Sequence, residues 1–388
     1  NEFAVRFPAA LFGSLSVIIM YFFLQEVFKD DERKDFISFI GSAILAFMPW
    51  HYHYSRGAWE VNILLFLILL SLLLFLKSGK DKTYFLYLSV IMLGLSLYVY
   101  ASAKMLVPLL IVGMTLLHKD KIAQFAFRSI FKASILFMLI IFPVIIFTFL
   151  GGAGGRLKVM SIFSYTRPVQ EVNQILTQDG LTDKSLIYQL YHSDWLEYLK
   201  SILERYFNHF SAKFLFFEGD WANPRQGVPY AGVLNHLDII LLPTGVYYLI
   251  SRKIKNQRLI WFLLLITPLP AVFSRDMIHA TRSYMMLIPL SIISALGVNF
   301  LWIKIAKFQF LLKTILMLIF LFGYFASYYY YLDQFFVHAP QKNSSYWQYG
   351  YKQAISYLNQ NIGNYSRVVF TQNFTDNNRR FFKFSAGV

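Results

Sequence analysis

Glu60-Val61-Asn62-Ile63-Leu64-Leu65-Phe66-Leu67-Ile68-Leu69-Leu70-Ser71-Leu72-Leu73-Leu74-Phe75-Leu76-Lys77 decides the fold. Nothing between its terminal carboxylate and ammonium is charged, and Leu, Ile and Phe fill almost every position. A helix of such residues satisfies its own backbone and offers hydrocarbon on every face, as a bilayer core requires. Comparable runs recur, and ten are read as spans: about 7–24, 36–52, 60–76, 84–101, 104–118, 133–150, 236–250, 259–274, 284–302 and 312–331. Only 15% of the chain is charged against 57% apolar, with mean hydropathy +0.48. A soluble protein carries about 25% charged residues. Tyr and Trp gather at the span ends, as interfacial belts do.

Charge orients the spans. One set of alternate connections holds Lys29, Arg33, Lys34; Lys77, Lys80, Lys82; Lys119, Lys121, Arg128, Lys132; Arg252, Lys253, Lys255, Arg258; and Lys304, Lys307, Lys313. The other short connections hold Arg56, Lys104, Arg275 and Arg282, and seventeen against four makes the first set cytoplasmic. These loops also account for much of the net charge of +15, and with no basic stripe or known binding module no nucleic-acid partner is expected. The absence of cysteine excludes disulfides and thiolate metal sites. Both ends fall outside, and an outside start at Asn1 rather than Met leads us to expect a fragment with a span missing upstream.

Two outer segments are long enough to hold structure. The first, about 151–235, opens with Gly151-Gly152-Ala153-Gly154-Gly155, which lacks the Gly-Lys-Ser/Thr of a phosphate loop and reads as a flexible exit from the membrane. Within it Trp195, Leu199, Ile202, Leu203, Tyr206 and Phe210 recur at helical spacing among Asp194, Glu197, Lys200, Glu204 and Arg205. That is an amphipathic helix, lying on the outer leaflet or on a small outer domain. The second segment, 333–388, promises a helix over Tyr351 to Asn361 and a strand over Arg367 to Thr371, the start of an α/β domain. Asn343, Asn364 and Asn373 open formal glycosylation sequons, which are too short to carry an argument.

Four outer constellations hold the polar residues of interest. Pro49-Trp50-His51-Tyr52-His53-Tyr54-Ser55-Arg56-Gly57-Ala58-Trp59-Glu60 closes one span and opens the next. Its aromatics are ordinary anchors, but charges are costly at that depth, so Arg56 and Glu60 are expected to pair with each other or with a ligand. His51 and His53 form an isolated His-x-His, and no metal site is assigned to them. Tyr98, Tyr100 and Lys104 form the next turn, where Lys104 either snorkels to headgroups or meets phosphate. Ser274-Arg275-Asp276-Met277-Ile278-His279-Ala280-Thr281-Arg282-Ser283-Tyr284 is the densest cluster, with Arg275 and Asp276 expected to neutralise each other. His279 and Arg282, three apart, share a face if the next span begins there, and two donors suit a phosphate oxygen pair. The stretch from His209 to Gly227 mixes His209, Glu218, Asp220 and Arg225 with aromatics, as a loop docking onto the outer mouth would. Arg56, Lys104, Arg275, His279 and Arg282 therefore stand as cations where a lipid phosphate lies, with nothing ionisable near the middle of any span.

Together these segments resemble the polytopic GT-C glycosyltransferases, in particular the bacterial branch similar to protein O-mannosyltransferases and the lipid A aminoarabinose transferase. Ala4-Val5-Arg6-Phe7-Pro8-Ala9-Ala10-Leu11-Phe12-Gly13 is similar to that family's Arg-x-Pro-small-x-x-x-Gly start of the second span. Pro49 to Arg56 resembles its Pro-x-His-x-x-x-Ser/Ala-Arg end of the third span. His209 to Asp220 resembles the outer-loop His-Phe-Ser-x-x-Phe-Leu-Phe-x-x-Gly-Asp, and His279-x-x-Arg282 with Pro289 is similar to the late His-x-x-Arg-x-x-x-x-x-Pro. Each motif alone is weak, but their order and shared outer location make the likeness specific over nearly the whole chain.

The expected fold class is an all-α polytopic membrane protein with an outer loop region and the start of a C-terminal α/β outer domain. Residues 1–332 form the transmembrane domain, including outer loop 151–235, and 333–388 the partial outer segment. The resemblance implies transfer of a sugar from a polyprenyl-phosphate carrier to a hydroxyl or amine of a glycan, lipid or protein acceptor. It places the protein in a bacterial inner (cell) membrane, among membrane lipids, with its active side outward. Cations set at headgroup depth stabilise the negative charge that grows on the leaving phosphate. Arg56, His279 and Arg282 are the first choices for that role and Lys104 the second, with His209 and Arg225 completing the substrate-binding set. The resemblance puts the catalytic base upstream, leaving Glu60, Glu218 and Asp220 as helpers or ligands of a divalent metal, and no cofactor is assigned. The rival class is a transporter or flippase, which would carry ionisable residues beside broken helices near the midplane; Pro108, Pro143 and Pro243 have no such companion.

Overall fold

The computed structural model describes residues 2–149, 161–164, 167–181, 184–252, 254–347, 349–364, 368–370 and 382–384. The Gly151–Gly155 run, Lys253, and the sequon at Asn373 lie outside these residues. The principal helices are α1 (Glu2–Val27), α2 (Lys34–Phe47), α3 (Pro49–Arg56), α4 (Val61–Lys77), α5 (Thr83–Val99) and α6 (Ala103–Leu117). They continue as α7 (Phe127–Phe149), α8 (Asp194–Asn208), α9 (Asp238–Ser251), α10 (Gln257–Ile266), α11 (Leu287–Ile305) and α12 (Phe310–Asp333).

Among the described residues, five helices are long and apolar enough to cross a membrane: Glu2–Val27, Lys80–Val99, Phe127–Thr148, Tyr284–Ile305 and Phe310–Lys342. Val61–Lys77, Ala103–Leu117, Asp238–Ser251 and Gln257–Val272 are apolar but shorter. Every segment read as a span is mainly helical over its described residues, though two are broken. Met48 is extended (φ −66°, ψ 125°) because the ring of Pro49 disfavours a helical neighbour, and Pro49 then opens α3 at a position that needs no N–H. The chain therefore turns at the depth of Trp50 instead of running straight to Tyr52. Pro268 likewise ends α10 and starts the short turn Leu269–Val272.

α11 is the hub, with 72% of its apolar window buried. Glycines let α9 lie directly on it. A Cβ on Gly245 would stand 1.9 Å from the Ile293 carbonyl oxygen, and one on Gly297 would stand 2.2 Å from that of Leu241. Such close backbone approach is how helices associate where the solvent is itself hydrocarbon. Phe127–Thr148 and Phe310–Lys342 are only 6% buried over their apolar windows, so most of their hydrocarbon faces outward.

The outer loop is built onto the ends of these helices. Ser193 caps α8, accepting the Leu196 N–H at 3.4 Å. α8 occupies the expected amphipathic stretch with its apolar face uncovered: Trp195, Leu199 and Leu203 are 75%, 51% and 47% exposed, while Arg205 is buried. After it, Phe214, Leu215 and Phe216 sink into the main core, where the Phe214 ring meets Trp50 edge-on at 5.4 Å. Trp50 N–H donates to the Val233 carbonyl at 2.9 Å, so this loop is tied to α3 by backbone as well as by packing. Beyond α12 the expected helix is present as Tyr351–Asn361, and Val368–Phe370 pairs antiparallel with Phe382–Phe384. Asn343 is buried, its amide nitrogen donating to the carbonyls of Pro224 (2.7 Å) and Gly227 (3.2 Å), so the first sequon is occupied by internal contacts.

Candidate functional site

The loop 274–283, between α10 and α11, is the centre of the polar cluster. It is a series of turns rather than the start of a helix, and α11 begins only after a tight turn over Tyr284–Met286. His279 and Arg282 nevertheless converge, because both reach one oxygen of Asp276. Arg282 Nη1 lies 2.8 Å from Asp276 Oδ2 and His279 Nε2 lies 3.7 Å from the same atom. Asp276 thus pairs with Arg282, not with its neighbour Arg275, which is exposed. Tyr100, at the turn before α6, hydrogen-bonds Arg282 and lies within the fields of Glu60 and Asp276.

His279 is not the cation its place in the sequence promised. Burial, then the positive charge of Arg282, then His209 depress its pKa to about 3. Its Nδ1 is buried without a hydrogen-bond partner among the described residues. A neutral imidazole beside a partly buried guanidinium is a polar, weakly basic contact for a ligand atom.

Two residues hold the loop from beneath. His209 Nδ1 faces the Arg205 carbonyl at 2.7 Å, and its Nε2 faces the His279 N–H at 3.5 Å. A carbonyl only accepts and an N–H only donates, so the His209 proton sits on Nδ1 and the Nε2 lone pair receives His279. Burial keeps that ring neutral, lowering its pKa to about 4. Asp220 Oδ2 accepts the Ala280 N–H at 2.7 Å; Oδ1 accepts the Asn223 N–H at 3.0 Å and the Asn223 side-chain amide at 2.9 Å. That amide also donates to the Ile278 carbonyl at 3.2 Å. Burial raises the Asp220 pKa to about 6, outweighing the three hydrogen bonds. A third tie is a relay in which the Tyr54 hydroxyl donates to Thr281 and the Thr281 hydroxyl to Gln226, each at 2.9 Å. His209, expected among the substrate contacts, and Asp220, expected as a helper or metal ligand, both brace the loop that carries His279 and Arg282.

The remaining candidates lie elsewhere. Arg56 does not pair with Glu60. It is exposed, donates to the Tyr52 hydroxyl at 3.0 Å, and lies over the Phe336 ring at 4.6 Å, bridging α3 to the end of α12. Lys104 donates to Thr148 Oγ1 at 3.0 Å. Arg225 lies 6.0 Å over the Trp347 ring, and Glu218 is exposed and paired with Lys213 at 3.3 Å. Of the three acids, Glu60 acts on Tyr100 through its charge, and Asp220 lies in the field of Asp276. Among the described residues, no group of three or more His, Cys, Asp or Glu could hold a metal ion. Asp276 was legible as a member of the cluster but not as the partner of Arg282, and Thr281 and Gln226 were not singled out, because turns have no period; the Tyr100 position, at the end of a span, carried a signal.

The arrangement is a helical membrane protein with a braced, partly buried Arg–Asp–His cluster at the end of its central helix. Residues 1–147 match the model of a family described as dolichyl-phosphate-mannose-protein mannosyltransferase. This likeness, confined to the first 147 residues, suggests a membrane glycosyltransferase. No curated protein matches the chain.

Proposed function

We propose that the protein transfers a sugar from a polyprenyl-phosphate carrier to an acceptor at the outer face of a bacterial inner membrane. The ten helical segments would then all be spans, with residues after 333 forming an outer α/β segment. The exposed apolar face of α8 would rest in the outer leaflet, where Trp, Leu and Phe side chains find hydrocarbon.

The observation that carries this reading is Arg282. Its side chain is 14% exposed, its guanidinium is oriented by Asp276 and Tyr100, and it sits beside a neutral imidazole with a buried nitrogen that has no partner among the described residues. In transfer, the acceptor heteroatom bonds to the anomeric carbon as the bond from that carbon to phosphate oxygen breaks. The electron pair leaves with the phosphate, and the acceptor proton passes to a carboxylate. A fixed guanidinium stabilises the leaving phosphate without reorganising.

The test is transfer in membranes from radiolabelled polyprenyl-phosphate sugars. Arg282→Ala should lower turnover on the order of 10²–10³-fold, while Arg56→Ala, which loosens contacts between α3 and α12, should cost far less. Transfer from no donor, or equal transfer by Arg282→Ala and the unaltered chain, would overturn the reading.

A further inference from the structure

A cavity of about 400 Å³ lies between α4, α5, α6 and α7, at the end of the bundle where the turns 78–82 and 118–126 join these helices. We infer that it holds one acyl chain of an anionic phospholipid, whose headgroup rests on the cations of those two turns. The inference is independent of the transferase reading.

The wall decides what fills the cavity. Phe75, Leu93, Leu110, Met114 and Phe137 line it, and among the described residues no charged side chain does. Four hydroxyls also line it, but each hydrogen is spent within the wall. Ser71 donates to the Ser89 carbonyl at 2.9 Å and Ser89 to the Ser71 carbonyl at 2.8 Å, lacing α4 to α5. Thr115 donates to the Ile111 carbonyl at 2.7 Å, and Ser134 to the Ile130 carbonyl at 3.0 Å. Nothing in this wall calls for a polar ligand, and apolar cavities stay dry, so the fitting occupant is hydrocarbon. The volume falls within the roughly 300–1,000 Å³ of ligand pockets.

Position gives an acyl chain its way in. Ile111 on α6 and Met138 on α7 both line the cavity and are 36% and 59% exposed, so it opens sideways between those helices. Ile122 and Phe125 line it from the turn itself, which carries the cavity up to headgroup depth.

Charge selects the headgroup. Lys77, Lys80 and Lys82 stand in or beside the first turn and Lys119, Lys121 and Arg128 in or beside the second, against Asp81 and Asp120. Among the described residues none of these six cations forms an ion pair with a carboxylate. Lys121 joins the two parts of the site: its ammonium lies 5.5 Å over the ring of Phe75, a wall residue, and donates to the Leu76 carbonyl. A phosphodiester at this mouth meets cations from both turns while its acyl chain enters between α6 and α7. A zwitterionic headgroup brings its own cation and gains less.

The measurement is native mass spectrometry of the full chain in detergent, titrated with phosphatidylglycerol or with phosphatidylcholine bearing the same acyl chains. Phosphatidylglycerol should bind about tenfold more tightly, and Lys119→Gln combined with Arg128→Gln should remove that advantage. Ala133→Phe, which fills the cavity from a buried position in its wall, should weaken the binding of both lipids. Lys304→Gln combined with Lys307→Gln, exposed cations of another lysine-rich turn, should change neither. Lys119 and Arg128 are exposed, so their variant tests the site even where Ala133→Phe fails to fold. Equal affinity for the two lipids would overturn the headgroup contact. Equal loss in the two charge variants would reduce it to diffuse attraction, and unchanged binding by a folded Ala133→Phe would empty the cavity of its acyl chain; either result overturns the assignment.

Discussion

Burial lifts the Asp220 carboxyl to a pKa of about 6 although three N–H groups favour its ionised form. An ordinary Asp ionises near 3.8, so between that pH and about 6 the folded chain holds a proton that the unfolded chain has released. The contribution of this carboxyl to stability therefore falls as pH rises through that window and is level above it, by on the order of 3 kcal/mol in all. Asp220→Asn removes the titration while keeping the shape. The thermal midpoint of the unaltered chain, minus that of the variant, should be larger near pH 4 than at pH 7; a difference constant across the range would contradict this account. At this scale the sequence named the actors but not their pairings. His279 and Arg282 were legible as neighbours in spacing, whereas the choice of Asp276 for Arg282 over Arg275 depends on how turns fold back, which no periodicity records. Arg56 misled for the same reason: its partners, Tyr52 and Phe336, include one contributed from beyond α12.

Helices were legible because apolar runs leave the backbone no other way to satisfy itself in hydrocarbon. Their breaks at Met48-Pro49 and Thr267-Pro268 were legible in principle, each marked by a proline at the head of a new helix. What the runs did not reveal is which helices touch. α9 and α11 meet through Gly245 and Gly297, each abutting a carbonyl of the other helix. Any side chain there must push backbone rather than another side chain. Gly245→Leu and Gly297→Leu should each lower stability by roughly 1–3 kcal/mol or more, read as a loss of thermal midpoint in detergent. Gly79→Leu, where nothing lies within 4 Å of an added Cβ, should be silent. Equal midpoints for all three would mean that α9 and α11 do not pack this closely. α8 shows the limit of pattern from the other direction. Its amphipathic period was plain, yet the residue it buries is Arg205, from the polar face, because the protein lies on that side and the apolar side is left for another medium.

For the molecule as a whole, the loop 274–283 can serve an outward-facing reaction only if the 57–60, 100–102 and 274–283 turns share one side of the membrane and the lysine-rich turns the other. Charge bias alone supports that arrangement, and it acts during insertion rather than in the folded state. The chain contains no cysteine, so single thiols report position without background. Ala58 and Ala101 are exposed in two of the turns expected outside, and Gly79 lies in a turn expected inside with open space around an added Cβ. In intact cells a membrane-impermeant maleimide should label Ala58→Cys and Ala101→Cys and leave Gly79→Cys untouched until the membrane is opened. Labelling of Gly79→Cys from outside, with the other two protected, would invert the protein and place Arg282 in the cytoplasm. Labelling of Ala58→Cys but not Ala101→Cys would mean that α4 and α5 do not both cross. The two turns could not then meet at Tyr100 and Glu60, and the cluster that carries the proposed function would come apart.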